Sequence, residues 1–209
     1  GSAIEPFAEN HRVFAPDWPG YGDSDRPDIR YNMDFYTAFL ADLMDALKLE
    51  RASLVGVSMG GGISLSFALA HPERIEKLVL VDSYGLQRRA PMHLLSNLVV
   101  RTPFLNEMTY AAIKHSRNMT RSSLSAIFAN PKVAMTEELL DEMYAEIQKP
   151  HPGRAFHSFQ LDEIRWDGVR SIFIDRLGEI HAPTLIIHGE KDSLVPLECS
   201  QQAHQRISG

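Results

Sequence analysis

Apolar positions along the chain switch between two spacings, and the switches mark out its elements. From Asp34 to Leu47 they fall at Phe35, Phe39, Leu40, Leu43, Met44 and Leu47, the three-and-four spacing of a helix with one buried face. Ala52-Ser53-Leu54-Val55, running on to Ser58, reads as a short strand. Gly61 to Ala70 reads as a helix stopped at His71-Pro72, because the residue before a proline is pushed out of the helical region. Leu78-Val79-Leu80-Val81, ending at Asp82, and Thr184-Leu185-Ile186-Ile187-His188 are further strands. Arg12-Val13-Phe14-Ala15-Pro16 is predicted as the first strand, and the Pro, Gly and Asp density of Asp17 to Pro27 predicts a loop after it. Nearly continuous aliphatic strands predict a sheet buried on both faces. Strands alternating with helices predict a parallel, three-layer α/β core.

Residues 86–178 break this rhythm. Met92 to Arg101, Phe104 to His115 and Thr136 to Lys149 carry helical patterns, the last with Leu139, Leu140, Met143 and Ile147 on one side and acids on the other. Thr136, with Leu139 three residues on, makes only half a capping box, though Glu137 and Glu138 suit the positive end of the helix that follows. The stretch is too long for one crossover connection. It is predicted to be a helical lid inserted into a core made of residues 1–85 and 179–209, packed on the rim where the strands end and covering Ser58.

Composition narrows the function classes. Hydrophobic residues make up 44% of the 209 and charged residues 23%, ordinary for a globular protein with one core. The net charge of −6 and the lack of a Lys/Arg cluster argue against a nucleic-acid surface. No apolar run is long enough to span a bilayer, so no membrane partner is expected. Cys199 is the only cysteine. It lies in a polar helical segment, Leu197 to Ile207, and is expected to be an unreactive thiol in a reducing, cytoplasmic setting. Gly1-Ser2 reads as a remnant of an expression tag. The histidines and acids show no His-Glu-x-x-His spacing, so no metal is expected.

The chemistry is concentrated in Gly56-Val57-Ser58-Met59-Gly60. A strand, a Gly-x-Ser-x-Gly turn and a helix form a nucleophile elbow. The turn is expected to be too sharp for side chains at its flanks, hence the glycines. The serine hydroxyl then stands above the sheet edge, at the positive end of a helix.

With that elbow, the chain resembles the α/β-hydrolase superfamily, in particular its lid-bearing esterase and carbon–carbon bond hydrolase branch. The matching stretches are Phe14-Ala15-Pro16-Asp17-Trp18-Pro19-Gly20-Tyr21-Gly22-Asp23-Ser24, the elbow, Leu78 to Asp82, and Pro183 to Pro196. The resemblance implies an α/β fold with a mostly parallel sheet and no cofactor. It implies Ser58 as nucleophile, the Met59 amide as an oxyanion donor, and Asp192 as the acid that orients a histidine. Asp82 also follows a core strand and is the reserve acid.

Two departures stand out. In the family the catalytic histidine follows the acid after a helix and a strand, which with their connections take roughly 24 residues. Fewer follow Asp192, so the catalytic histidine is expected to be absent from this chain. His188 reads as structural, His204 as a solvated helix residue, and His93, His115, His151 and His157 as lid residues. The family's His-Gly loop, which brings a second oxyanion donor, is also missing ahead of Arg12, so the chain is expected to be truncated at both ends. The expected activity is serine-dependent hydrolysis of a small carboxylic ester or related carbonyl substrate, with carbon–carbon cleavage of a diketone-like acid, lactone hydrolysis and perhydrolysis also open. The alternatives are a non-catalytic binding module on the same fold, or an inactive fragment of a longer hydrolase.

Overall fold

The computed structural model describes residues 4–209. In chain order, helices α1 (Ile4–Ala8) and α2 (Met33–Ala46) precede strand β1 (Ala52–Val57), helix α3 (Met59–Ala70) and strand β2 (Ile75–Val81). Six helices follow: α4 (His93–Val100), α5 (Pro103–His115), α6 (Arg117–Ser125), α7 (Pro131–Ala134), α8 (Glu137–Gln148) and α9 (Arg154–Glu163). A small antiparallel pair, β3 (Ile164–Arg165) and β4 (Gly168–Val169), leads to β5 (Thr184–Ile187) and α10 (Leu197–Arg206).

β1, β2 and β5 form one parallel sheet in that order. Each predicted core helix and strand except the first lies within a few residues of its expected limits. Asn32 caps α2 by accepting from the Phe35 amide at 2.8 Å, and Thr136 caps α8 by accepting from Leu139 at 3.1 Å. Leu78 and Leu80 of β2 are fully buried with Ile63, Leu65 and Phe67 of α3 and Tyr36 of α2 in a single core cluster. Burying such a side chain stabilises the fold by about 1.5–3 kcal/mol.

Two expectations fail. Residues 12–16 form no strand, because β1 is the sheet's edge and nothing pairs with its free side among the described residues. An extended segment without a ladder partner has no reason to hold a strand conformation, and Phe14 is exposed instead, under the Arg12 guanidinium. The sheet is also buried on one face only. Register aligns Val55 with Val79 and Leu185, and Val57 with Val81 and Ile187. In these rows Val55 and Val57 are 60% exposed, Leu185 55% and Ile187 49%, whereas α2 and α3 lie on the other side. Continuous aliphatic strands here mark one covered face and one open apolar face.

Helices α4 to α9 pack on one another and on the 17–31 loop. Arg26 pairs with Glu146 at 2.6 Å, and Lys149 reaches the Gly22 carbonyl at 2.7 Å and Asp23 at 2.8 Å. The Tyr31 amide donates to Ser158 at 2.9 Å. The junction nearest the elbow is built on Glu163, whose carboxylate accepts from the Ser171 amide at 3.0 Å, the Ser171 hydroxyl at 2.9 Å and the Tyr84 hydroxyl at 3.1 Å. Burial nevertheless pushes this carboxyl above its ordinary range, outweighing those donors. A carboxyl raised on folding contributes stability that is complete below its unfolded value, near pH 4.5, and is lost as pH rises through the folded value. Glu163→Gln should therefore flatten the fall in thermal midpoint between pH 4.5 and neutrality, measured by circular dichroism against wild type. An unchanged slope would show that Glu163 is not the group responsible.

Candidate active site

Ser58 leaves β1 at φ 49° and ψ −116°, a conformation that costs a non-glycine residue about 1–3 kcal/mol. Three backbone bonds hold it there. Its amide donates to the Val81 carbonyl at 2.9 Å, and its carbonyl accepts from Tyr84 at 3.0 Å and Gly62 at 3.1 Å. Ser58 is exposed and stands at the start of α3, where the first amides have no helical acceptor. Among the described residues the Met59 amide donates to no acceptor. It is a free donor beside the serine, at the positive end of a helix. The Met59 side chain packs under Tyr21, whose hydroxyl lies 3.9 Å from its sulfur. Burial pushes the Tyr21 phenol well above its ordinary range, so it stays neutral.

The glycines divide differently from expectation. A Cβ at Gly56 would lie 2.4 Å from the Gly60 carbonyl oxygen, so the strand and helix approach too closely for any side chain there. At Gly60 a Cβ would meet nothing within 4 Å. The second close approach is at Gly61, whose Cβ would lie 2.0 Å from Ser83 Oγ and 2.7 Å from Ser83 Cβ. The second glycine of the pattern is thus not sterically required; the one after it is. Gly61→Ala should destabilise the chain by about 1–3 kcal/mol through overpacking. Gly60→Ala should be neutral or stabilise by up to about 1 kcal/mol, since alanine suits a helix better. Urea midpoints of the two variants against wild type test this, and equal losses would refute the assignment.

Ser58, Asp82 and His188 stand one residue beyond the aligned ends of β1, β2 and β5. The ladder carries past the strands to them through Ser58 N to Val81 O at 2.9 Å and Asp82 N to Ile187 O at 3.0 Å. Adjacent strands lie about 4.8 Å apart, so the three occupy one rim. Asp82, at φ 45°, accepts from the Gly189 amide at 2.8 Å. It ties the end of β2 to the start of the 189–196 turn. Asp192 sits in that turn, and its Oδ1 accepts from the Leu194 amide at 2.7 Å and the Val195 amide at 3.1 Å.

The His188 side chain is only 3% exposed and lies between the two carboxylates, with Nδ1 3.5 Å from Asp82 and Nε2 3.8 Å from Asp192. The three side chains offer ligand atoms within 4.8 Å of one another. The closest carboxylate approaches are to opposite ring nitrogens, however, and both nitrogens are already bonded, Nε2 to the Val195 carbonyl at 2.9 Å and Nδ1 to Ser200 at 2.8 Å. That arrangement suits an enclosed imidazole rather than a chelated cation. None of the described histidines hydrogen-bonds to Ser58. His157 is held by the Val100 carbonyl at 2.7 Å, and His115, His151 and His204 are exposed.

A family model for the α/β-hydrolase fold matches residues 2–209. The chain belongs to the α/β-hydrolase family. It is 32% identical over 208 residues to a 2-hydroxy-6-oxo-2,4-heptadienoate hydrolase of Pseudomonas putida, spanning 99% of this chain and 70% of that one. It is 33% identical over 197 residues to a 2-hydroxymuconate semialdehyde hydrolase of a Pseudomonas species, spanning 93% and 64%. Its structure is similar to that of a meta-cleavage product hydrolase of Pseudomonas fluorescens, with a TM-score of 0.76 at 27% identity over 98% of this chain and 71% of that one. Against these α/β-hydrolases the present chain spans between 64% and 71% of the relative's length. Its named relatives are hydrolases of small molecules, and among its described residues no helix is long and apolar enough to cross a membrane.

The elbow serine shares its rim with Asp82 and His188, and Asp192 sits in the turn that follows His188. The α4–α9 helices, expected to cover Ser58, leave it exposed and contact the flanking 17–31 loop and Tyr84 instead. The residues that brace the site, Tyr84, Tyr21 and Ser83, carried no sequence signal beyond lying just after a strand or in a glycine-rich loop.

Proposed function

We propose that this chain carries the nucleophile half of a serine hydrolase in which Ser58 forms an acyl-enzyme. The single observation behind this is the Ser58 backbone, held at positive φ with an unbonded Met59 amide beside its hydroxyl. In such a site Ser58 Oγ adds to a carbonyl carbon as its proton passes to a base. The carbonyl π pair moves to oxygen, and the oxyanion accepts from Met59. Collapse breaks the bond to the leaving group, which takes up a proton, and water then releases the acyl group. Asp192 is the acid that orients the base, with Asp82 tying its turn in place. Residues 86–178 form the cap that selects the substrate from above the 17–31 loop.

The relatives act on 2-hydroxy-6-oxo-dienoates and a 2-hydroxymuconate semialdehyde. The substrate class that fits is therefore a small oxo-acid whose acyl–carbon bond is cleaved, and simple activated esters are surrogates for it.

The test supplies imidazole as a diffusible base and follows hydrolysis of a short-chain nitrophenyl ester. Wild type should show a saturable, imidazole-dependent rate above the Ser58→Ala blank. A rate equal to the blank would overturn the nucleophile assignment. Asp192→Asn should remove most of that rate, about tenfold or more. Asp82→Asn should change it less than about threefold, because asparagine keeps the carbonyl that accepts from Gly189 and tolerates positive φ. The reverse ranking would make Asp82 the acid.

A further inference from the structure

We propose that His188 is a positioning residue for Asp192, acting through the 189–196 turn; this rests on the reading of Asp192 as the acid of a serine hydrolase. Each contact of the ring has a fixed sense. A carbonyl can only accept, so Nε2 facing Val195 O at 2.9 Å carries the hydrogen. Nδ1 then accepts from the Ser200 hydroxyl at 2.8 Å. The buried imidazole thereby fastens three segments: the end of β5, the closing residue of the turn and the first turns of α10.

The turn in between presents the acid. The Asp192 amide donates to Gly189 O at 3.0 Å, and Oδ1 is filled by the Leu194 and Val195 amides. Among the described residues Oδ2 accepts no hydrogen bond, and His188 Nε2 lies 3.8 Å from it. The consequence is a carboxylate with one oxygen spent on its own turn and the other left for a base. Freed from His188, the Val195 carbonyl and amide can move together. Both Oδ1 contacts then loosen and Oδ2 loses its direction. A 1 Å displacement of a group that orients a base is enough to slow turnover severely. His188 is too enclosed to reach the serine and has no free nitrogen with which to act as the base, so its influence runs through Asp192.

Amide hydrogen exchange on the whole chain tests the clamp. His188→Leu should speed exchange at Leu194 and Val195 by about tenfold, the scale of one lost hydrogen bond, while Val79, Leu80 and Val81 in β2 keep their protection. His188→Gln retains a side-chain N–H for Val195 and should restore protection to within about threefold of wild type. Unchanged exchange at Leu194 and Val195 in His188→Leu, or a uniform rise that includes β2, would overturn the proposal. If His188→Leu does not fold, Ser200→Ala removes only the donor at Nδ1 and should speed the same two amides several-fold.

The imidazole-supported rate supplies the readout that a purely structural role would not move. His188→Leu should lower the maximal rate with KM unchanged, His188→Gln should recover it, and His188→Leu should add nothing in the Asp192→Asn background. An equal loss in both backgrounds would show that His188 does not act through Asp192. A wild-type rate no higher than the Ser58→Ala blank would sink the hydrolase reading alone, leaving the exchange result to judge the clamp.

Discussion

The parallel register of β1, β2 and β5 is the constraint from which the site follows. Parallel ladders put all strand C-termini on one side, and this register ends the three strands level, at Val57, Val81 and Ile187. The next residue of each strand is therefore delivered to the same rim, and these residues are Ser58, Asp82 and His188. Two backbone bonds extend the ladder by one step, to Ser58 and to Asp82. A slip of one residue in any pair would turn every side chain of that strand to the opposite face. Register thus governs both the buried face and the chemistry.

Strain at the elbow is sustained by the same ladder. Ser58 occupies positive φ because its amide belongs to the sheet while its carbonyl belongs to α3 and to Tyr84. The close approaches at Gly56 and Gly61 show how little space separates the strand, the helix and Ser83. Tyr84 carries this constraint outward, since its amide holds the elbow and its hydroxyl reaches Glu163 at the base of the helical region. The elbow and the helical region are thereby joined through one residue. Further attachments include packing of Phe159 on Tyr36 and Tyr84, the Tyr31–Ser158 bond, and charged contacts on the 17–31 loop, several of them exposed and each worth roughly 0–1 kcal/mol.

The Asp192 side of the candidate site is built on different physics. Asp192 is not strained but internally bonded, in a turn that closes on itself. Asp82 bonds the first residue of that turn, and the enclosed His188 bonds Val195 near its other end. The Gly189–Asp82 bond spans 107 positions and needs β2 in place, whereas the Ser200–His188 bond needs α10.

The sequence by itself determined most of the elements and pointed to the candidate site residues. The spacing of apolar residues placed α2, α3, α8 and three of the four expected strands. The Gly-x-Ser-x-Gly turn between a strand and a helix singled out Ser58, and Asp82 and Asp192 were visible as acids after strands. These features are legible because they are local: a period, a cap, a proline or a turn depends on residues a few positions apart. Only the tertiary structure decided whether residues 12–16 had a ladder partner, which face of the sheet was covered, and which glycine had no room for a side chain. It alone showed that His188 sits between two carboxylates, with both nitrogens already committed. Each of these depends on what an element packs against, and the order and register of parallel strands joined by long crossovers are set by contacts between residues far apart in the chain.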